Sequence, residues 1–151
     1  GNLCLRPVDS QSLPQELWLV TGQSNTETTQ DFGSPTEDVL VKWTQALSGE
    51  ETPWMSLAGS FPALAGLIGQ EIAQRGSASA MLAAGWGGTQ IDCWLFEGGQ
   101  CYARQIWKFL AVERLPFHGV IWWQGESDAL TYDLMVTNAY ESKLRALIAG
   151  W

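Results

Sequence analysis

Ser24 stands where a serine can do chemistry. The run Leu17-Trp-Leu-Val-Thr-Gly-Gln-Ser-Asn25 is apolar to Val20, stops at Gly22, and delivers Ser24 two residues later. A short continuous apolar run closed by a glycine predicts a strand buried on both faces. The turn after such a strand opens on the crevice at the carboxyl ends of the strands, where open α/β sheets hold their ligands. Two further segments carry compatible groups, Gly87-Gly-Thr89 followed by Trp94, and Gln124-Gly-Glu-Ser-Asp128. Acyl transfer needs a nucleophilic hydroxyl, donors for a developing oxyanion, and a base oriented by an acid. Ser24 supplies the hydroxyl. The Ser24 N–H, the N–H of Gly87 or Gly88 and the Gln124 amide supply donors, and Glu126 and Asp128 supply carboxylates.

Each of these residues also has a plainer reading. Asn25 either contacts a substrate or ties its turn to a neighbouring loop. Gly87 and Gly88 could simply make a tight turn, and Thr89 either binds substrate or caps the segment after it. Glu126 and Asp128 are site acids, solvated loop acids or helix N-caps. Of the nine tryptophans, Trp94 is the candidate for a sugar-facing ring, while Trp18, Trp43 and Trp107 are expected in the core. Trp94, Trp122 and Trp123 include at least one core residue, because neighbours on a strand point to opposite faces.

The elements that must position these groups follow from periodicity. Residues 1–16 read as an irregular lead-in. Leu17 to Val20 is the first strand, and Thr26 to Trp54 a long polar excursion with one strand-like stretch, Asp38 to Trp43. Phe61 to Arg75 is a helix with Leu64, Ala65, Leu67, Ile68 and Ile72 on one face, stopped by Gly76. Ser77 to Ala84 is a strand, Tyr102 to Glu113 a helix, and Val120 to Trp123 a third strand. A last helix from about Leu134 to Ala149 places Tyr140, Leu144, Leu147 and Ile148 on one stripe. This alternation predicts a single α/β domain over residues 1–151, with a parallel, flavodoxin-like sheet between two helical layers and all three candidate turns at one edge.

Composition narrows the function classes. Hydrophobic residues are 46 % and charged residues 16 % of the 151-residue chain, which excludes disorder. A net charge of −8 argues against a nucleic-acid or anionic-membrane surface. No apolar run is long enough to span a bilayer. One histidine, His118, and three cysteines allow no metal spacing, and no metal or cofactor is expected. Cys93 and Cys101 could close a small disulfide loop or be two unrelated thiols, and Cys4 stands apart. The N-terminus carries no charged segment followed by an apolar run, so the protein is either cytosolic or already relieved of a signal peptide. The absence of an initiator Met favours a processed or excised chain, and a secreted or periplasmic location is slightly favoured over a cytoplasmic one. No Gly-x-Gly-x-x-Gly opens a helix after the first strand, which argues against a nucleotide site.

The three blocks, in this order, resemble the sialate O-acetylesterase-like branch of the SGNH hydrolases, which includes the carbohydrate esterase family 6 acetylxylan esterases. That branch has Gly-Gln-Ser-Asn, then Gly-Gly-Thr followed by a Trp, then Trp-x-Gln-Gly-Glu-x-Asp. The matching residues here are Gly22 to Asn25, Gly87 to Thr89 with Trp94, and Trp122 to Asp128. The resemblance implies a three-layer αβα fold and removal of acetyl groups from acetylated carbohydrate without a cofactor. It also implies Ser24 as nucleophile, with Ser24, a second-block glycine and Gln124 as the oxyanion hole. Glu126 is the acid of the triad in some members, and a late Asp in others.

The departure lies in the base. The branch carries its histidine in a late Asp-x-x-His block, which this sequence lacks. His118 precedes the third strand, at the end of the sheet away from Ser24. The chain is therefore expected to lack its C-terminal strands, to show little esterase activity alone, and to associate with a missing segment or with itself. The alternative is a non-catalytic carbohydrate-binding fragment of the same fold.

Overall fold

The structure is a computed structural model that describes residues 16–44, 51–96 and 118–151. A five-stranded mixed sheet forms its centre. In chain order its strands are β1 (Glu16–Gly22), β3 (Thr36–Trp43), β4 (Met55–Leu57), β6 (Ser79–Gly85) and β7 (Gly119–Trp123), arranged β4-β3-β6-β1-β7. A separate antiparallel pair joins β2 (Thr29–Asp31) to β5 (Ser60–Pro62). The helices are α1 (Ala63–Gln74), the short α2 (Glu126–Ala129) and α3 (Leu134–Gly150).

β1, β3, β6 and β7 are parallel, and only the edge strand β4 runs antiparallel, against β3. The strand-like stretch inside the polar excursion thus becomes a full member of the sheet. Val39 and Val41 are buried at alternate positions on β3, which is the pattern of a strand packed under one helix. The sheet is mixed rather than wholly parallel because the return from β3 is short enough for an antiparallel neighbour.

The pleat sorts β1 between two cores. Leu17 and Leu19 join Leu82, Trp86, Trp94 and Leu147 on the α3 side. Val20 joins Val39, Val41, Met81 and Ala65 on the α1 side, with Leu64, Ile68 and Ile72 packed against them. Helices on both faces make the three layers that the alternation predicted. Two stripe residues are displaced outward, Leu67 of α1 and Ile148 of α3. On α1 the closest approach is made by small residues instead. Gly66 and Gly69 are buried, and a Cβ on Gly69 would lie 2.5 Å from Val39 Cγ1. Where a helix seats on glycines, a leucine one step round the helix is turned toward solvent.

Tryptophans knit the α3 side together. Trp94 meets Trp86 and Trp122 edge-on, with ring centroids 5.1 and 5.0 Å apart, and Trp122 meets Trp151 at 5.7 Å. Such edge-to-face pairs suit the positive rim and negative face of the indole. Trp18 and Trp43 are half-buried and pack against the α1-side core. Trp107, the helix expected over 102–113, Cys4 and Cys101 lie outside the described residues, and the Cys93–Cys101 pairing with them.

Candidate active site

Strand register brings the three blocks together. Gly22 is the register partner of Gly85 on one side and of Trp123 on the other, so β1, β6 and β7 end at one level. The ladder continues past the strands, because the Trp86 N–H donates to the Gly22 carbonyl at 2.9 Å and the Gln23 N–H to the Trp123 carbonyl at 3.0 Å. Gly22 is indispensable to this approach. Its φ is +143°, and a Cβ there would stand 1.9 Å from the Trp123 carbonyl oxygen.

Ser24 opens a single 3-10 turn, Ser24–Thr26, and is exposed. The turn is held from below. Thr26 is buried, and its hydroxyl donates to the Gln23 carbonyl at 2.8 Å. Built Cβ atoms on Gly85 and Gly87 would lie 2.2 Å from Thr26 Oγ1 and 3.6 Å from Ser24 Cβ respectively. Gly85 therefore lets the serine turn sit directly on the end of β6, with Gly87 in ordinary contact beside it. Glu27, the residue after the turn, leans on the same surface and accepts the Gly87 N–H. Burial raises its carboxyl above the ordinary glutamate value, and that N–H pulls it back in part.

Gln23 organises the site, although residue type alone does not mark it out. It is 5 % exposed, and its Oε1 accepts from the backbone N–H groups of Gly125 and Ser127 at 3.4 and 3.3 Å. One buried amide oxygen thus fastens the first block to the start of α2. Its signal in the sequence was its place between a strand-ending glycine and the serine, where a polar side chain must turn inward.

Several expected ligand contacts turn out to be scaffold. Trp94 is completely buried, and its indole N–H donates to Thr89 Oγ1 at 2.9 Å, so it does not face a sugar. Thr89 is buried too, and donates to the Trp86 carbonyl at 2.8 Å. Asp128, 2 % exposed, accepts from the Ile91 N–H at 3.0 Å and from Gln124 Nε2 at 2.6 Å. Gln124 Nε2 also lies 2.8 Å from the Thr89 carbonyl. Two amide protons are committed to those two acceptors, so in this arrangement Gln124 locks the second block to the third and offers no free donor to an oxyanion. Tyr140 Oη completes the lock, 2.9 Å from Gln124 Oε1, and accepts the Trp122 indole N–H at 3.1 Å. Burial raises the Tyr140 hydroxyl above its usual value.

Glu126 faces the serine turn. Its Oε1 accepts from Asn25 Nδ2 at 2.5 Å and from the Trp123 indole at 2.8 Å. Its Oε2 is buried with no hydrogen-bond partner among the described residues. Asn25 thereby ties its turn to the third block. Gly87 and Gly88 are exposed at the rim, Gly88 with a φ of +68°. His118 is far from all of this. It sits beyond the other end of β7, its N–H on the Leu17 carbonyl and its ring 5.4 Å from Trp18. Five strand residues, roughly 16 Å, intervene. Among the described residues no group of acids, histidines and cysteines could hold a metal ion, and no helix is long and apolar enough to cross a membrane.

A three-layer α/β domain with a serine turn, a glycine turn and an amide–acid turn at one sheet edge has the architecture of the SGNH hydrolases. The chain belongs to the carbohydrate esterase, sialic acid-specific acetylesterase family, whose model matches residues 59–150, more than half of the sequence. The matched segment holds the second and third blocks, and the Ser24 turn precedes it. Among solved structures, the chain is similar to a carbohydrate acetylesterase from Xanthomonas citri, with a TM-score of 0.70 and 23 % identity over 90 % of this chain and 37 % of that one. It is also similar to a protein from Arabidopsis thaliana, with a TM-score of 0.60 and 18 % identity over 91 % of this chain and 68 % of that one. At those identities the likeness carries the fold. No curated protein matches the chain significantly.

Proposed function

We propose that this chain carries the nucleophile side of a serine carbohydrate O-acetylesterase. The observation that carries the reading is the exposed Ser24 on a turn seated against the Gly85–Gly88 segment, in a chain of an acetylesterase family. In the proposed reaction, Ser24 Oγ attacks the acetyl carbonyl carbon while its proton passes to a base. The oxyanion is met by the Ser24 N–H and an N–H of the second-block glycines. Collapse releases the sugar hydroxyl, which regains the proton, and water then frees acetate from the acyl-enzyme. Glu126 is the acid best placed to orient a base, because its Oε2 has no partner among the described residues.

Among the described residues no histidine stands near Ser24, since His118, the one histidine of the sequence, lies at the far end of β7. That observation favours a second reading, a carbohydrate-binding unit that keeps the crevice without turnover. Hydrolysis of p-nitrophenyl acetate with and without added imidazole separates the two. For the esterase reading we expect a slow reaction that imidazole accelerates, and whose excess over Ser24→Ala is several-fold. Identical rates for the two proteins under both conditions, with no fluorophosphonate labelling of Ser24, would leave the binding reading.

A further inference from the structure

Among the described residues, Trp123 offers an open aromatic face at the rim of the site, and it is not the ring the sequence pointed to. Trp86, Trp94 and Trp122 belong to the edge-on cluster under α3. Trp123, the next residue on β7, points to the opposite face of the strand and is 48 % exposed. Its backbone is pinned, because its carbonyl accepts the Gln23 N–H.

Its side chain is pinned as well. The indole N–H donates to Glu126 Oε1 at 2.8 Å, and the same oxygen accepts Asn25 Nδ2 at 2.5 Å. Two legs meeting at one atom keep the indole nitrogen within 5.3 Å of the Asn25 amide nitrogen, and Asn25 follows Ser24 directly. An exposed indole normally exchanges rotamers, and that freedom is lost when a ligand binds. Here a hydrogen bond to Glu126 restrains it, which is how a preorganised recognition surface is made. The indole presents an apolar face to solvent while its polar edge is satisfied by the protein.

The charges around this ring select what can lie on it. Glu126 holds the polar edge of the ring, and Glu27 lies on the serine-turn surface. The cations among the described residues are paired with acids elsewhere, Lys42 with Glu51, Arg75 with Glu71, Lys143 with Asp92 and Arg145 with Glu141. A ligand bearing its own carboxylate would meet carboxylates there.

We propose that Trp123 is the stacking platform of the site and takes the apolar face of a neutral pyranose ring, placing an acetyl ester of that sugar against Ser24. The assignment rests on the esterase reading for the fate of the ester, but binding to Trp123 needs no turnover. The test is therefore a titration of the full 151-residue chain carrying Ser24→Ala with acetylated xylo-oligosaccharide, followed by the Trp123 indole N–H signal in nitrogen–proton correlation spectra. A saturable shift of that signal is expected. Trp123→Ala in the same background should weaken binding about tenfold, and Trp123→Phe, which keeps an aromatic face, should recover most of the loss. Spectral dispersion shows that each variant is folded.

Three results would overturn the proposal: no binding of the neutral sugar, Trp123→Ala binding as well as its parent, or tighter binding of an O-acetylated sialic acid. If Trp123 binds the sugar while the parent chain shows no imidazole-accelerated hydrolysis above Ser24→Ala, the esterase reading fails alone.

Discussion

Gln23 and Glu27 flank the serine and do opposite things to the site's stability. Gln23 has exchanged water for two backbone N–H donors, so its loss leaves those part-buried donors unpaired. Gln23→Leu should cost about 1–3 kcal/mol in urea unfolding, with Ser24→Ala in comparison changing stability by less than about 0.5 kcal/mol, as for an exposed side chain. Glu27 is different because burial raises its carboxyl above 4.5. The folded chain then holds the Glu27 proton more tightly than the unfolded chain does. The associated stability is full below pH 4.5 and is lost as pH rises through the raised folded value. Glu27→Gln keeps an acceptor for the Gly87 N–H without the charge. Its stability relative to the parent should therefore increase from pH 4 to pH 7, measured by chemical unfolding at both. Type and spacing single out Ser24 and Glu126 as candidates, and the fold brings their two turns together through Asn25. The partners of Gln23 and Glu27 are not legible in type and spacing, since they come from segments 60 to 104 residues away in sequence.

At the scale of elements, α1 shows why a helical stripe misleads. Counting apolar residues puts Leu67 on the buried face, but the helix seats where its glycines allow close approach. Gly69→Ala should gain about 1 kcal/mol of helix propensity and lose about 1–3 kcal/mol to overpacking against Val39 and Met81. The expected sum is destabilising. Val39→Ala combined with Gly69→Ala should recover part of the loss in a double-mutant cycle, because the two side chains contend for one space. The strands β1, β6 and β7 were predicted close to their observed bounds, as continuous apolar runs closed by glycine or amide residues. β3 was seen only as a stretch, and its place beside β6 depends on pairing that periodicity does not encode.

For the whole molecule, the tryptophan cluster joins the second block, β7 and α3 into one body. Trp94 is its centre, completely buried and bonded to Thr89. Trp94→Ala should cost about 3–5 kcal/mol and abolish the near-ultraviolet circular dichroism of the packed indoles, with urea unfolding as the measure of stability. Its assignment to the core rather than to a sugar is a tertiary decision. A tryptophan after a glycine turn suits either role, and only the packing of Trp86 and Trp122 around it settles which. The sequence by itself determined the α/β class, the three blocks at the strand ends, the acetylesterase resemblance, and the distance between His118 and Ser24. These depend on local apolar runs, residue types and strand length. Tertiary structure decided that Gln23 binds the third block, that Gln124 is a lock, and that Trp123 is the ring left open beside Ser24. Each of those depends on which backbone and side-chain groups meet across the register of β1, β6 and β7, and a register is a property of the paired strands together.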